Sequence, residues 1–187
     1  MQGVYLFFNK TQRNHRRALS LGFLLPLIPI PLLATLDYKL AVGWFSLFAL
    51  LIAYAMYRRA IGQELVIAFL FALFVTSYHP YVYDSTNFFL GHVNLYPLIL
   101  WTAGLVLLRE VYERLPIAYR WVIAGALYLG GLFVIEYVGY YLLEIHLNGN
   151  FPSLFGLGII HGTFFIYFFY MLAGPLYLLV TDYLEVR

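Results

Sequence analysis

Apolar runs long enough to cross a bilayer constrain this chain more than any motif it contains. They recur along the whole sequence, separated by short polar segments. A hydrocarbon core of roughly 30 Å calls for about 20 residues of helix, and in lipid every backbone N–H and C=O must be bonded internally. The expected fold is therefore all-α, a polytopic membrane bundle of six transmembrane helices at residues 19–36, 40–57, 61–78, 88–108, 117–146 and 154–180. Residues 1–187 are read as a single membrane domain, with 1–18 a cytoplasmic or interfacial lead-in. Composition agrees: 11% of residues are charged and 63% hydrophobic, whereas soluble domains carry roughly a quarter charged residues.

The basic residues set the expected orientation. With the N-terminus inside, Lys10, Arg13, Arg16, Arg17, Arg58, Arg59, Arg109, Arg114, Arg120 and Arg187 are all cytoplasmic, and Lys39 alone is outside. The preference of Lys and Arg for cytoplasmic loops then places both termini in the cytoplasm of a multi-pass protein, in a plasma membrane of prokaryotic type. Arg13, Arg16 and Arg17 before the first apolar run suit a retained signal anchor, since no small-x-small cleavage site follows. Pro26, Pro29 and Pro31 predict a kinked or partly unwound first span. The i,i+4 pairs Arg109–Glu113 and Glu110–Arg114 are expected where the fourth span emerges into water.

Several function classes drop out early. The chain has no cysteine, which removes thiol catalysis, disulfides, Cys-bound zinc and iron–sulfur clusters. No basic run interleaved with polar residues suggests nucleic acid. Ser77, Ser85 and Ser153 have no nucleophile elbow around them.

The polar residues that remain are segregated. His79, Asp84, His92, Asn94, Glu136, Glu144, His146 and His161 all fall in the outer loops or outer half of the predicted bundle. A charged side chain at mid-bilayer costs about 2.5–3.5 kcal/mol on insertion scales, so Glu136 calls for a partner or a function. Glu136, Tyr140 and Glu144 share a helix face at i, i+4, i+8. At about 1.5 Å per residue, Glu136 and His161 both lie about 10–12 Å below the outer boundary. Pro97 is expected to free a carbonyl near His92 and Asn94, and Gly158 and Gly162 form a GxxxG step around His161. The expected ligand-binding residues are His92, Asn94, Glu136, Tyr140 and His161, with His79, Asp84, Glu144 and His146 at the outer rim.

Three chemistries use such a set. Aromatic walls with a few placed polar groups suit binding or transport of a small or lipid-like ligand. His and carboxylate groups could hold a metal in a membrane-embedded enzyme acting on a lipid or isoprenoid, although no HExxH-type spacing is present. His92 and His161 are a formal pair of axial haem ligands. A structural subunit of a membrane complex is the remaining reading, with membrane lipids, a membrane-protein partner or a second copy as its contacts. Size, span count and an outward pocket resemble, in architecture alone, the substrate-binding subunits of energy-coupling-factor vitamin transporters. Ala18 and Gly22 give one small-xxx-small step, but the prolines that follow depart from a smooth docking helix, and no motif is shared. Catalytic residues, metal and cofactor are left unassigned.

Overall fold

The computed structural model describes residues 62–79, 81–84, 87, 89–116 and 118–185. The first two predicted spans, their prolines and the lead-in lie outside the described residues. The described part is helical: α1 (Gly62–Tyr78), α2 (Leu95–Arg114), α3 (Arg120–Tyr137) and α4 (Phe164–Glu185), with a two-residue hairpin of β1 (Phe89–Leu90) and β2 (Val93–Asn94) before α2. Among the described residues, three helical segments are long and apolar enough to cross a membrane: Leu95–Arg114, Arg120–Leu142 and Phe164–Leu184. At 17 residues, α1 is shorter.

The helices pack through their smaller side chains. On α1 the small residues Ala68, Ala72, Val75 and Thr76 are buried, while Val66, Phe69, Leu70 and Phe74 are exposed. Close approach through small residues, with large apolar side chains turned outward, is how helices pack in lipid. The core fills the space between α1, α2 and α4. Trp101 of α2 meets Phe169 and Tyr170 of α4 edge-on at 5.3 and 5.0 Å. α3 docks on α4 through Tyr128, whose hydroxyl donates to the Tyr170 carbonyl at 2.7 Å. Gly174 makes room for that ring: a Cβ there would lie 2.8 Å from it.

Three element ends differ from the sequence expectation. α2 begins at Leu95, not near residue 88, because residues 89–94 form the hairpin and Asn94 caps the helix. Pro97 therefore sits in the first turn, where its missing N–H costs no helical bond, and the expected break near His92 does not arise. α3 stops short of residue 146: a π-helical turn, Val138–Leu142, ends it, and Glu144 follows with φ of 51°. The last helix starts at Phe164 instead of 154. Residues 153–162 form a compact loop with positive φ at Phe155, Gly156, Gly158 and Ile160, closed by a bridge between Ser153 and His161. Gly158 and Gly162 therefore do not form a helical GxxxG face, and His161 precedes the helix instead of lying within it.

Charge also behaves differently at the other end of the bundle. Arg109 is not released into water; its side chain is 2% exposed and reaches Glu113 at 3.2 Å, Glu64 at 3.6 Å and Asp182 at 2.5 Å. Tyr112 donates to the same aspartate at 2.6 Å. α1, α2 and α4 are thus tied at one end through charge, and the polar residues singled out above collect at the opposite end.

Candidate functional site

The site is assembled from four segments: the 81–84 loop, the last turns of α3, the 145–147 return, and the loop and helix containing His161 and Tyr170. Loop 81–84 is held by Asn94, whose amide donates to the Tyr81 carbonyl at 2.8 Å while its oxygen caps Tyr96 at 3.2 Å. Asn87 brackets Tyr83, accepting from its N–H at 2.8 Å and donating to its carbonyl at 2.6 Å. The return strand joins this loop through Asn148 N–H to the Val82 carbonyl at 2.7 Å. The loop before α4 is pinned from α3, where the Tyr141 hydroxyl donates to the Gly158 carbonyl at 2.7 Å.

These contacts enclose an inner cavity of about 30 Å³ lined by Tyr81, Tyr83, Glu136, Tyr140, Ile145, Leu147, His161 and Tyr170. That is room for about one water, given polar partners. Tyr170 donates to Glu136 Oε1 at 2.9 Å. Tyr81 is 2% exposed, and its hydroxyl lies beside the Tyr170 hydroxyl and the Trp101 indole without a well-formed hydrogen bond to either. Burial pushes the Tyr81 and Tyr83 phenols above the usual tyrosine range, so both stay neutral.

An outer cavity of about 70 Å³ adjoins it, lined by Tyr140, Leu147, Gly149, Asn150, Phe151 and His161. Both cavities share Tyr140, Leu147 and His161. The Tyr140 and His161 rings stack with centroids 4.0 Å apart and planes 13° from parallel. On its other side Tyr140 meets the His146 ring edge-on at 4.4 Å. His146 is oriented by two acceptors, the Asp84 carboxylate at 3.2 Å from Nδ1 and the Tyr140 carbonyl at 3.0 Å from Nε2. Burial, and then the neighbouring His146, hold the His161 imidazole below its usual value; its Nδ1 is buried without a partner among the described residues.

The structure thus brings Glu136, Tyr140 and His161 to one place, with Asp84 and His146 beside them. Asn94 is fully buried and supports the site as a cap and loop anchor. His92 is exposed at the tip of the β1–β2 turn and lines neither cavity, so His92 and His161 do not form an axial pair. His79 is buried behind Tyr81, edge-on at 5.1 Å, with its pKa lowered by burial; Glu144 is exposed on the loop after α3. No group of three or more metal-ligating side chains is present among the described residues. Tyr81, Tyr83 and Tyr170 were not among the expected ligand residues. The available signal was that a phenol buried in lipid needs a partner for its hydroxyl.

The chain matches no protein-family model, no curated protein and no solved structure.

Proposed function

We propose that the chain is a six-span membrane protein with both termini cytoplasmic, whose non-cytoplasmic end binds a small polar ligand in the cavity beside Glu136. The observation that carries this reading is the convergence of Glu136, Tyr140 and His161 on one cavity walled by Tyr81, Tyr83 and Tyr170. Cavities of about 30 and 70 Å³ favour a ligand of a few atoms over a lipid-like one, since drug-sized ligands occupy roughly 300 Å³ or more. Native mass spectrometry of gently purified protein tests the site: a small retained mass, lost in Glu136→Gln, is the expected result. The absence of native cysteine makes topology directly testable. With an impermeant maleimide on intact cells, Asn150→Cys should label and Arg187→Cys should not; the reverse pattern overturns the orientation.

A second reading, an accessory subunit of a membrane complex, draws on α3. Only 6% of the apolar stretch in Arg120–Leu142 is buried, and a Cβ at Gly125, Gly130 or Gly131 would meet nothing within 4 Å among the described residues. Site-specific crosslinking from Gly130 in native membranes would capture a protein partner if that face is covered.

A further inference from the structure

Resting on the reading of the inner cavity as a binding site, we propose that its ligand is a monovalent cation about the size of a water molecule, of the ammonium class, held between Glu136 and the tyrosines and reached past the Tyr140–His161 stack.

Charge comes first. Among the described residues, Glu136 is the one acidic residue lining either cavity, and no Lys or Arg lines them. Tyr170 satisfies one carboxylate oxygen; the other accepts no bond from the described residues. A carboxylate on a membrane-crossing helix without a countercharge is unfavourable, and a small cation supplies that countercharge. An anion would meet a carboxylate and phenols, with no Lys or Arg among the described lining residues to hold it.

The remaining wall is of the same character. Four tyrosines, Tyr81, Tyr83, Tyr140 and Tyr170, line the cavity, and aromatic faces attract cations most strongly where water is excluded. The buried Tyr81 hydroxyl lies beside the Tyr170 hydroxyl and the Trp101 indole without a well-formed bond to either, and its oxygen can accept from an ammonium N–H or coordinate a bare ion. Size is the third constraint, since about 30 Å³ admits ammonium or potassium and excludes a quaternary amine such as choline. Access is the fourth. The outer cavity shares Tyr140, Leu147 and His161 with the inner one, so rotating the Tyr140–His161 pair apart joins the two.

The test is thermal unfolding of the full-length protein in detergent, titrated with ammonium, potassium or choline chloride, or with formamide as a small neutral probe. Ammonium should raise Tm saturably and choline should not; protection by potassium as well supports the class. Glu136→Gln should raise the apparent ammonium Kd by about tenfold or more, the scale of one charge-assisted bond. Should that variant fail to fold, Tyr81→Phe serves, because it keeps the buried ring and removes only a hydroxyl with no well-formed bond; it should weaken ammonium protection several-fold. Equal protection by choline, or unchanged ammonium affinity in the variants, overturns the cation assignment. Protection by formamide alone, lost in Glu136→Gln, overturns the cation and leaves the small-ligand pocket standing. Protection by none of the probes overturns both.

Discussion

Glu136 shows how one residue shapes its surroundings. It lies on a segment long and apolar enough to cross a membrane, where an isolated carboxylate is disfavoured, and Tyr170 answers it from α4 at 2.9 Å. Tyr170→Phe keeps the ring and its packing on Trp101 while removing the donor. Leaving that oxygen without a partner should destabilise the protein by about 1–3 kcal/mol, measured by unfolding in mixed detergent–SDS micelles; no change would mean that water already satisfies Glu136. His161 gives a pH prediction. Its folded-state value lies below the usual 6.5, so as the pH falls through 6.5 the unfolded chain takes up a proton that the folded chain does not. Stability therefore drops on acidification until the lowered folded value is reached. His79 is shifted in the same direction, so His161→Gln should remove part of the acid loss and not all of it. An unchanged pH profile in His161→Gln would contradict the assignment. Glu136, Tyr140 and His161 were legible because ionisable and polar groups stand out in apolar runs. With 18 tyrosines in the chain, residue identity could not mark Tyr81, Tyr83 and Tyr170 as the ones turned inward.

At the scale of elements, the existence of the helices among the described residues followed from apolar length, and their ends did not. Hydropathy measures composition, so the apolar run 154–163 reads as helix, whereas its left-handed residues Phe155, Gly156, Gly158 and Ile160 make it a loop. The start of α2 was hidden for a related reason. Residues 88–94 are apolar enough to extend a span, yet Gly91, with φ of 63°, turns the chain and Asn94 takes the cap. Both departures bear on the site, because they set His161 on a loop and make Asn94 an anchor. Asn94→Ala removes the cap and the bond to Tyr81 together. A stability loss of about 2 kcal/mol or more is expected, above the roughly 1 kcal/mol of an ordinary cap, with tyrosine fluorescence reporting a loosened 81–84 loop. The α3–α4 contact was not visible at all, since Tyr128 and Gly174 carry no sequence signal as a pair. A Cβ at Gly174 meets the root of the Tyr128 ring at 2.8 Å, where no flexible end can give way. Gly174→Ala should therefore destabilise by about 1–3 kcal/mol, and Tyr128→Ala should relieve the clash in the double variant; additive losses would place the contact elsewhere.

Across the described bundle, polar chemistry is divided between its two ends. One end holds the cavity residues, and the other holds Arg109 among Glu64, Glu113 and Asp182. The basic residues indicated which end should face the cytoplasm, but i,i+4 spacing suggested solvated pairs where the structure has a buried crosslink. Spacing along one helix cannot reveal Glu64 and Asp182, which arrive from α1 and α4. Two of the arginines at this end, Arg109 and Arg114, offer an internal comparison. The Arg109 side chain is 2% exposed and bridges three helices, whereas Arg114 is 40% exposed and pairs with Glu110 on its own helix. Removing one partner of a buried ionic cluster typically costs about 3–5 kcal/mol, because the remaining charges are left uncompensated. The Arg114–Glu110 pair is open to solvent on the arginine side alone, the Glu110 side chain being 10% exposed, so it falls between that figure and the contribution of a fully exposed pair, about 0–1 kcal/mol. Arg109→Ala removes the cation shared by three carboxylates and leaves Arg120, 3.6 Å from Asp182, as the nearest remaining one among the described residues, so its loss should fall near ~3 kcal/mol and persist at high salt, which screens buried pairs poorly. Arg114→Ala should cost less than Arg109→Ala, because water reaches one side of its pair. If both variants lose the same small amount, charge does not hold this end of the bundle together, and the helices are joined by apolar packing alone.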